Sequence, residues 1–351
     1  MHNFDYKSIK FPITQELLEM VAAIQERKGE QNLYLSTQAD TLTALLEIAK
    51  IQSAEASNKI EGIYTSDERL KQLVLDKTNP QNQSEREIAG YRNALKTIHE
   101  NYRYIPPKPS CIWQLHKDLY AYSGKEYGGK YKAEDNVITQ ENGNDEALIR
   151  FKPVEVGVAA EAMENACASL DQAVERQTIN PLLLIPMFIL DFLCIHPFSD
   201  GNGRMSRLLT LLLLYRCGYN VGKYISIEKK IEQTKEAYYE ALFESSQGWH
   251  ENENDYLPFI KYMLGVLLAA YRDFNDRVQI WNTKPPTKPQ RIIEIIKNKL
   301  GAITKSEIKE QCPDISEITI QRTLAELVEK GDVEKIGGGR YTKYVFSSER
   351  R

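Results

Sequence analysis

Residues 196–207 read His196-Pro197-Phe198-Ser199-Asp200-Gly201-Asn202-Gly203-Arg204-Met205-Ser206-Arg207. The run before them, Pro181–Ile195, is apolar at almost every position, and Arg204–Arg216 is again rich in leucine. That order predicts a buried helix, a polar glycine-rich loop and a second buried helix whose first N–H groups face the loop. A helix N-terminus preceded by small residues is an anion site. Gly201 and Gly203 let the backbone approach oxygen atoms, and Asn202 is expected to tolerate the unusual φ of such a nest.

The remaining residue types add chemistry to that cradle. Arg204 and Arg207 stand three apart on one predicted helix face, each with forked donors suited to a polyphosphate. Asp200 offers a hard oxygen ligand for Mg2+ held between carboxylate and phosphates. His196, at the rim, has the ordinary proton affinity needed to take a proton from an attacking hydroxyl. Each has an ordinary reading: a capping histidine, an aspartate turn, a solvated arginine face. Together, in one loop between two apolar helices, they form a kit for phosphoryl or nucleotidyl transfer.

Working outward, most of the chain has helical periodicity. The predicted helices are Gln15–Lys28, Thr37–Ile60, Ser84–Tyr102, Ser110–Tyr122, Val154–Gln177, Glu228–Gln247 and Tyr256–Arg277, beside the two already named. Residues 131–151 break the pattern, and Asn142-Gly143 between short apolar pieces predicts a β-hairpin. Pro285, Pro286 and Pro289 mark a linker over 281–290. Beyond it, helices Arg291–Leu300, Lys305–Gln311 and Glu317–Lys330 precede two β-type runs around Gly337-Gly338-Gly339, the layout of a winged helix-turn-helix. The expected fold is mainly α. It comprises an N-terminal helical region (1–105), a core (106–280), the linker and the C-terminal domain (291–351).

Composition narrows the class. The chain has 351 residues, 42% hydrophobic and 27% charged, with a formal net charge of -4, so it is no general nucleic-acid binder. Five cysteines without a CxxC pair argue against a disulfide framework or zinc site. The N-terminus has no apolar signal core, and Asp191 and His196 interrupt the longest apolar stretch, so no membrane span is expected and a cytoplasmic location is. From Pro285 onward, 13 basic residues face 10 acidic ones, a mild bias. Thr319, Gln321, Arg322 and Thr323 are the groove-facing set if the third helix there reads DNA, with Ile318, Ile320, Leu324 and Leu327 facing the core and Arg340 at the hairpin tip. DNA binding is not the favoured reading, because winged helices also dock proteins.

The pattern HPFxDGNGRxxR resembles the hallmark of the Fic family, and every fixed position is filled: His196, Pro197, Phe198, Asp200, Gly201, Asn202, Gly203, Arg204 and Arg207. The resemblance covers roughly Pro12–Arg277 and implies a Fic-type helical bundle with the hairpin as a flap. It also implies AMPylation, the transfer of AMP from Mg-ATP to a Ser, Thr or Tyr hydroxyl of a protein. By that resemblance His196 is the general base, Asp200 the Mg2+ ligand and Arg207 the partner of the γ-phosphate. Gly201, Asn202, Gly203 and Arg204 then hold the α- and β-phosphates, and the flap registers the target chain by strand addition. Tyr239 and Asn252 match positions near adenine.

Ser57-Asn58-Lys59-Ile60-Glu61-Gly62 resembles the family's inhibitory pattern. Glu61, four residues after Ser57 at the end of the helix over 37–62, shares its face and could draw Arg207 from the γ-phosphate. A helix stop with Gly62 is the ordinary reading, and the two are compatible. Some members with this glutamate also remove AMP. Family members also transfer UMP or phosphocholine or phosphorylate, but the unaltered glycines and both arginines favour AMP; the alternatives kept are a homodimer and a nucleotide-sensing transcription regulator using the winged helix.

Overall fold

The computed structural model describes residues 2–9, 12–35, 39–141, 147–282, 287–299, 301–312, 315–339 and 342–347. The chain divides into two units, Met1–Asn275 and Asp276–Arg351. In chain order the helices are α1 (Gln15–Leu35), α2 (Ala39–Ile60), α3 (Asp67–Val74), α4 (Gln83–Asn101), α5 (Pro109–Leu119), α6 (Val156–Glu175) and α7 (Pro181–Ile195). They continue with α8 (Asn202–Arg216), α9 (Ile227–Gln233), α10 (Lys235–Ser246), α11 (Leu257–Asn282), α12 (Lys288–Asn298), α13 (Lys305–Gln311) and α14 (Glu317–Glu329). Strands β1 (Ile138–Glu141) and β2 (Ala147–Phe151) form one hairpin, and β3 (Val333–Ile336) and β4 (Lys343–Phe346) another.

The first unit is built around α7 and α8, which pack on each other. Twelve of the fifteen residues of α7 are buried, so this helix is apolar all round because it has no solvent face. Each fully buried leucine, such as Leu184 or Leu208, contributes about 1.5–3 kcal/mol of transfer free energy. Helix α6 covers one side of α7, while α4 and α2 pack on α8. Helix α2 also lies along α9, which fixes where its C-terminal Ser57 and Glu61 fall. No helix among the described residues is long and apolar enough to cross a membrane.

Three local departures from the sequence reading occur, and two of them have a visible physical cause. The single helix expected over Glu228–Gln247 is two, because Thr234 leaves the helical region at φ −122° and ψ 35°. Its hydroxyl donates back to the Lys230 carbonyl, the competition that β-branched hydroxyl residues offer a helix. Helix α3 was not predicted; it has only eight residues, too few for periodicity to show, although Ser66 caps it by accepting from Arg69 N. Helix α1 runs on to Leu35, past the expected end at Lys28.

The expected hairpin forms with β1 and β2 antiparallel and a register shift between Ile138 and Thr139; its Asn142-Gly143-Asn144 turn lies outside the described residues.

In the second unit, α12, α13 and α14 and the β3–β4 hairpin enclose a core of Ile292, Ile296, Ile303, Ile308, Ile320 and Leu324. Ile303 pairs with Tyr344 of β4, extending the hairpin by one bridge. Pro289 sits in the first turn of α12, where a missing N–H costs nothing, so this helix starts inside the stretch expected to be linker. Two core assignments change: Ile318 is 79% exposed, whereas Thr323 is buried. The helix period puts Ile320, Thr323, Leu324 and Leu327 on one face and Ile318 outside it. Arg340 lies outside the described residues.

Candidate active site

Helix α7 ends because His196 turns left-handed, with φ 50° and ψ 61°, while its N–H still reaches Phe192 O. The His196 ring is anchored through Nδ1, 3.3 Å from the Leu193 carbonyl. A carbonyl only accepts, so Nδ1 carries the proton and Nε2 keeps its lone pair. Burial is the main reason the imidazole is pushed down to about 4, with Lys132 acting in the same direction and the Leu193 carbonyl opposing. At neutral pH His196 is therefore an uncharged base. Lys132 holds the end of α7 from beneath, donating from Nζ to Val154 O and Ile195 O.

The loop is tied down by residues the motif reading used differently. The Asn202 amide bonds to Phe198 twice, accepting its N–H at 3.0 Å and donating to its carbonyl at 2.7 Å. Asn202 is thus a clamp in the first turn of α8, and the left-handed backbone expected there belongs to His196 and Gly201 instead. Gly201 precedes α8 with φ 80°, a conformation glycine adopts without strain. His116 stacks on Phe198 at 3.8 Å and bonds through Nε2 to the Asp200 carbonyl and through Nδ1 to Gly129 N–H. Its core role follows from the sequence; its grip on the loop does not.

Arg204 also departs from expectation. It is 1% exposed and donates to Glu87 Oε2 and Tyr120 Oη, both at 2.8 Å. Its guanidinium therefore supports the loop from behind rather than facing an open cradle. Asp200, in contrast, is half-exposed. One carboxylate oxygen takes the Gly201 N–H at 2.7 Å; the other meets Tyr127 Oη at 3.1 Å and Lys125 Nζ at 3.4 Å. Burial works to raise this carboxyl, but Arg204, Tyr120, the Gly201 amide and Lys125 outweigh it and keep it ionised. Glu87, Tyr120, Lys125 and Tyr127 were not selected from the sequence, because nothing at fixed spacing marks them; the fold alone brings them to the motif.

Glu61 arrives from the end of α2. Arg207 donates from Nε to Ser57 Oγ at 2.8 Å, from Nη2 to Ser57 O at 2.9 Å, and from Nη2 to Glu61 Oε1 at 2.8 Å. Arg207 is buried, and although burial works against its charge, Glu61 more than restores it. The same Glu61 oxygen lies against Gly203. The Glu61 carboxylate thus lies at the first turn of α8, where the helix N–H groups have no intrahelical partner. Tyr239 is half-buried beside buried Tyr238 on α10, and its carbonyl accepts Arg150 Nη1 of β2. Asn252 is exposed and left-handed at φ 60°, and its side chain accepts the Asn3 N–H.

No group of three or more His, Cys, Asp or Glu suited to a metal occurs among the described residues. Asp200 as a lone ionised carboxylate still fits Mg2+, which takes one or two carboxylates and completes its shell with phosphate and water.

The Fic/DOC family model matches residues 104–214, the segment containing the whole motif. The protein adenylyltransferase Fic of Aedes aegypti is 44% identical over 69 residues, which cover 20% of this chain and 11% of that protein. Protein adenylyltransferase fic-1 of Caenorhabditis elegans is 29% identical over 114 residues, 32% of this chain and 20% of that one. The chain thus spans a fifth or less of these relatives' length. A Fic family protein from Desulfovibrio desulfuricans G20 shares the fold with TM-score 0.61 at 20% identity, covering 97% of this chain and 98% of its own. A Fic domain containing signaling protein from Bacteroides thetaiotaomicron gives TM-score 0.60 at 20% identity, over 71% of this chain and 95% of its own.

Proposed function

We propose that this Fic-domain protein is a protein adenylyltransferase that moves AMP from Mg-ATP to a Ser, Thr or Tyr hydroxyl of a protein, itself included, and is restrained by its own Glu61. The observation that carries the reading is the Arg207–Glu61 pair at 2.8 Å beside a neutral His196 with its Nε2 lone pair free of the Leu193 anchor. In the reaction the acceptor oxygen bonds to the α-phosphorus as the bond to pyrophosphate breaks. The hydroxyl proton passes to His196 Nε2. Mg2+, when bound at Asp200, supplies charge neutralisation for the phosphates. Arg207 takes up phosphate charge once Glu61 withdraws, and the N–H groups at the start of α8 cradle the rest. Arg204, through Glu87 and Tyr120, keeps α8 and Asp200 in place. The β1–β2 flap offers an edge for the target chain. With water in place of the hydroxyl, Glu61 could serve the reverse removal of AMP.

The test is mass spectrometry of a cell lysate supplied with Mg-ATP and the Glu61→Gly protein. Gain of AMP on a recipient, absent with Glu61→Gly/His196→Ala, is expected. No AMP adduct on any protein, with ATP bound all the same, would favour the second reading. That reading is a nucleotide sensor with the second unit as output; the three helices and hairpin of that unit support a winged helix-turn-helix assignment. Against DNA as its partner, Arg322 lies 3.5 Å from Glu326, and Glu317 and Glu329 sit on the same helix. Salt-dependent retardation of a labelled duplex by the full chain would reverse that preference.

A further inference from the structure

Beside Tyr127 Oη at 3.1 Å, Asp200 Oδ2 faces a cation that no motif position supplies. Lys125 Nζ lies 3.4 Å from Asp200 Oδ2 and 3.2 Å from Glu87 Oε1. It is held between two tyrosines, 5.6 Å from the Tyr120 ring centroid and 5.5 Å from that of Tyr127. Glu87 has a second partner, Arg204, at 2.8 Å, and Arg204 reaches Asp200 only at 3.9 Å. The cluster therefore holds two carboxylates and two cations. Arg204 lies closer to Glu87 than to Asp200, and Lys125 bridges the two carboxylates, slightly nearer Glu87 than Asp200.

We propose that Lys125 is the resident counter-cation of Asp200, a positioning residue that keeps the carboxylate aimed at the loop and competes with the metal of the metal–nucleotide substrate for it. The inference rests on the reading of Asp200 as the metal ligand. A divalent ion on Asp200 Oδ2 and an ammonium at 3.4 Å from the same oxygen repel each other. Glu87 gives the ammonium a place to withdraw to without losing a partner, and its flexible, one-third exposed stem allows the movement. Nucleotide binding should therefore respond to the metal less than a bare aspartate would allow.

The readout is the factor by which Mg2+ tightens binding of ADP to the full chain, taken from calorimetric titrations with Mg2+ and with EDTA. The Glu61→Gly background opens the cradle. Lys125→Met should raise that factor about threefold, the scale of a half-exposed ion pair. Lys125→Gln should do the same, and Lys125→Arg should leave it near the parent value. Asp200→Asn should bring the factor to about one, which tests the metal-ligand reading by itself. An unchanged or smaller factor in both Lys125→Met and Lys125→Gln overturns the inference while leaving Asp200 as the ligand. An unchanged factor in Asp200→Asn overturns both.

Discussion

Glu61 stands where a side chain on Gly203 would begin: a Cβ built on Gly203 would lie 2.3 Å from Glu61 Oε1, the oxygen that accepts Arg207 Nη2 at 2.8 Å. The glycine that a nucleotide cradle needs for close approach is thus also what allows the carboxylate in. Removing that carboxylate should free both the arginine and the cradle. Glu61→Gly is expected to raise the initial rate of AMP incorporation from labelled ATP about tenfold or more, since a partly buried ion pair can hold a few kcal/mol and ~1.4 kcal/mol is a factor of ten. A rate equal to wild type would remove Glu61 from the regulation of this site.

The same geometry couples Gly203 to Glu61. Gly203→Ala forces a methyl against the carboxylate and its arginine, and overpacking of this kind costs about 1–3 kcal/mol. Once Glu61 is gone, the nearest remaining neighbour is Arg207 Nη1 at 3.4 Å, an ordinary contact. The loss of stability from Gly203→Ala, measured by denaturant unfolding, should therefore be smaller by about 1 kcal/mol or more in the Glu61→Gly background than in wild type. Additive effects would mean that the two positions do not press on each other.

His116 grips the loop through the Asp200 carbonyl while its ring lies flat on Phe198. His116→Phe keeps the stack and leaves the Asp200 carbonyl and the Gly129 N–H without their partner, at about 1–3 kcal/mol each. In the Glu61→Gly background this substitution should lower AMP transfer about tenfold, through misplacement of Asp200, while the nucleotide binds with EDTA as before. Unchanged transfer would leave His116 a core residue only.

Much of this arrangement could be read from spacing. The two apolar runs around residue 196 predict α7 and α8 because a helix with no polar face has to be buried, and the Pro181–Ile195 limits coincide with the observed ones. Glu61 and Arg207 are 146 positions apart, and only the resemblance to a known pattern joined them before the packing of α2 on α8 did. The Arg204–Glu87 bond was not legible, because spacing along a helix gives direction relative to its neighbours and not what waits at the far end. The same limit applies to Lys125, which sits in an irregular stretch without periodicity. Ile318 was misplaced by counting apolar residues without following the helix period to Thr323.

Acid should separate activity from stability. His196 is pushed down to about 4, so the base stays unprotonated well below pH 6.5, where a solvated imidazole would begin to fail. In the Glu61→Gly protein, the rate contribution of this group should be level from pH 7.5 to 5.5 and fall with unit slope only near pH 4. Stability should move sooner. His2 and His116 are lowered to about 4 and His99 to about 3, in each case chiefly by burial, as is His196. Between pH 6.5 and those values the unfolded chain binds more protons at all four histidines, so acidification favours unfolding. Asp191 acts in the opposite sense: burial raises it to about 7 against the donors Trp249, Tyr256 and Tyr6, so the folded state holds its proton more tightly and gains stability as pH falls from 7 towards 3.8. Four depressed groups oppose one raised group across nearly the same window, and the net effect is a falling Tm from pH 6.5 to 4.5. Scanning calorimetry across that range, beside initial rates taken before unfolding sets in, checks both halves. A rate that drops tenfold between pH 6.5 and 5.5 while the Tm stays flat would mean that His196 titrates as a solvated imidazole.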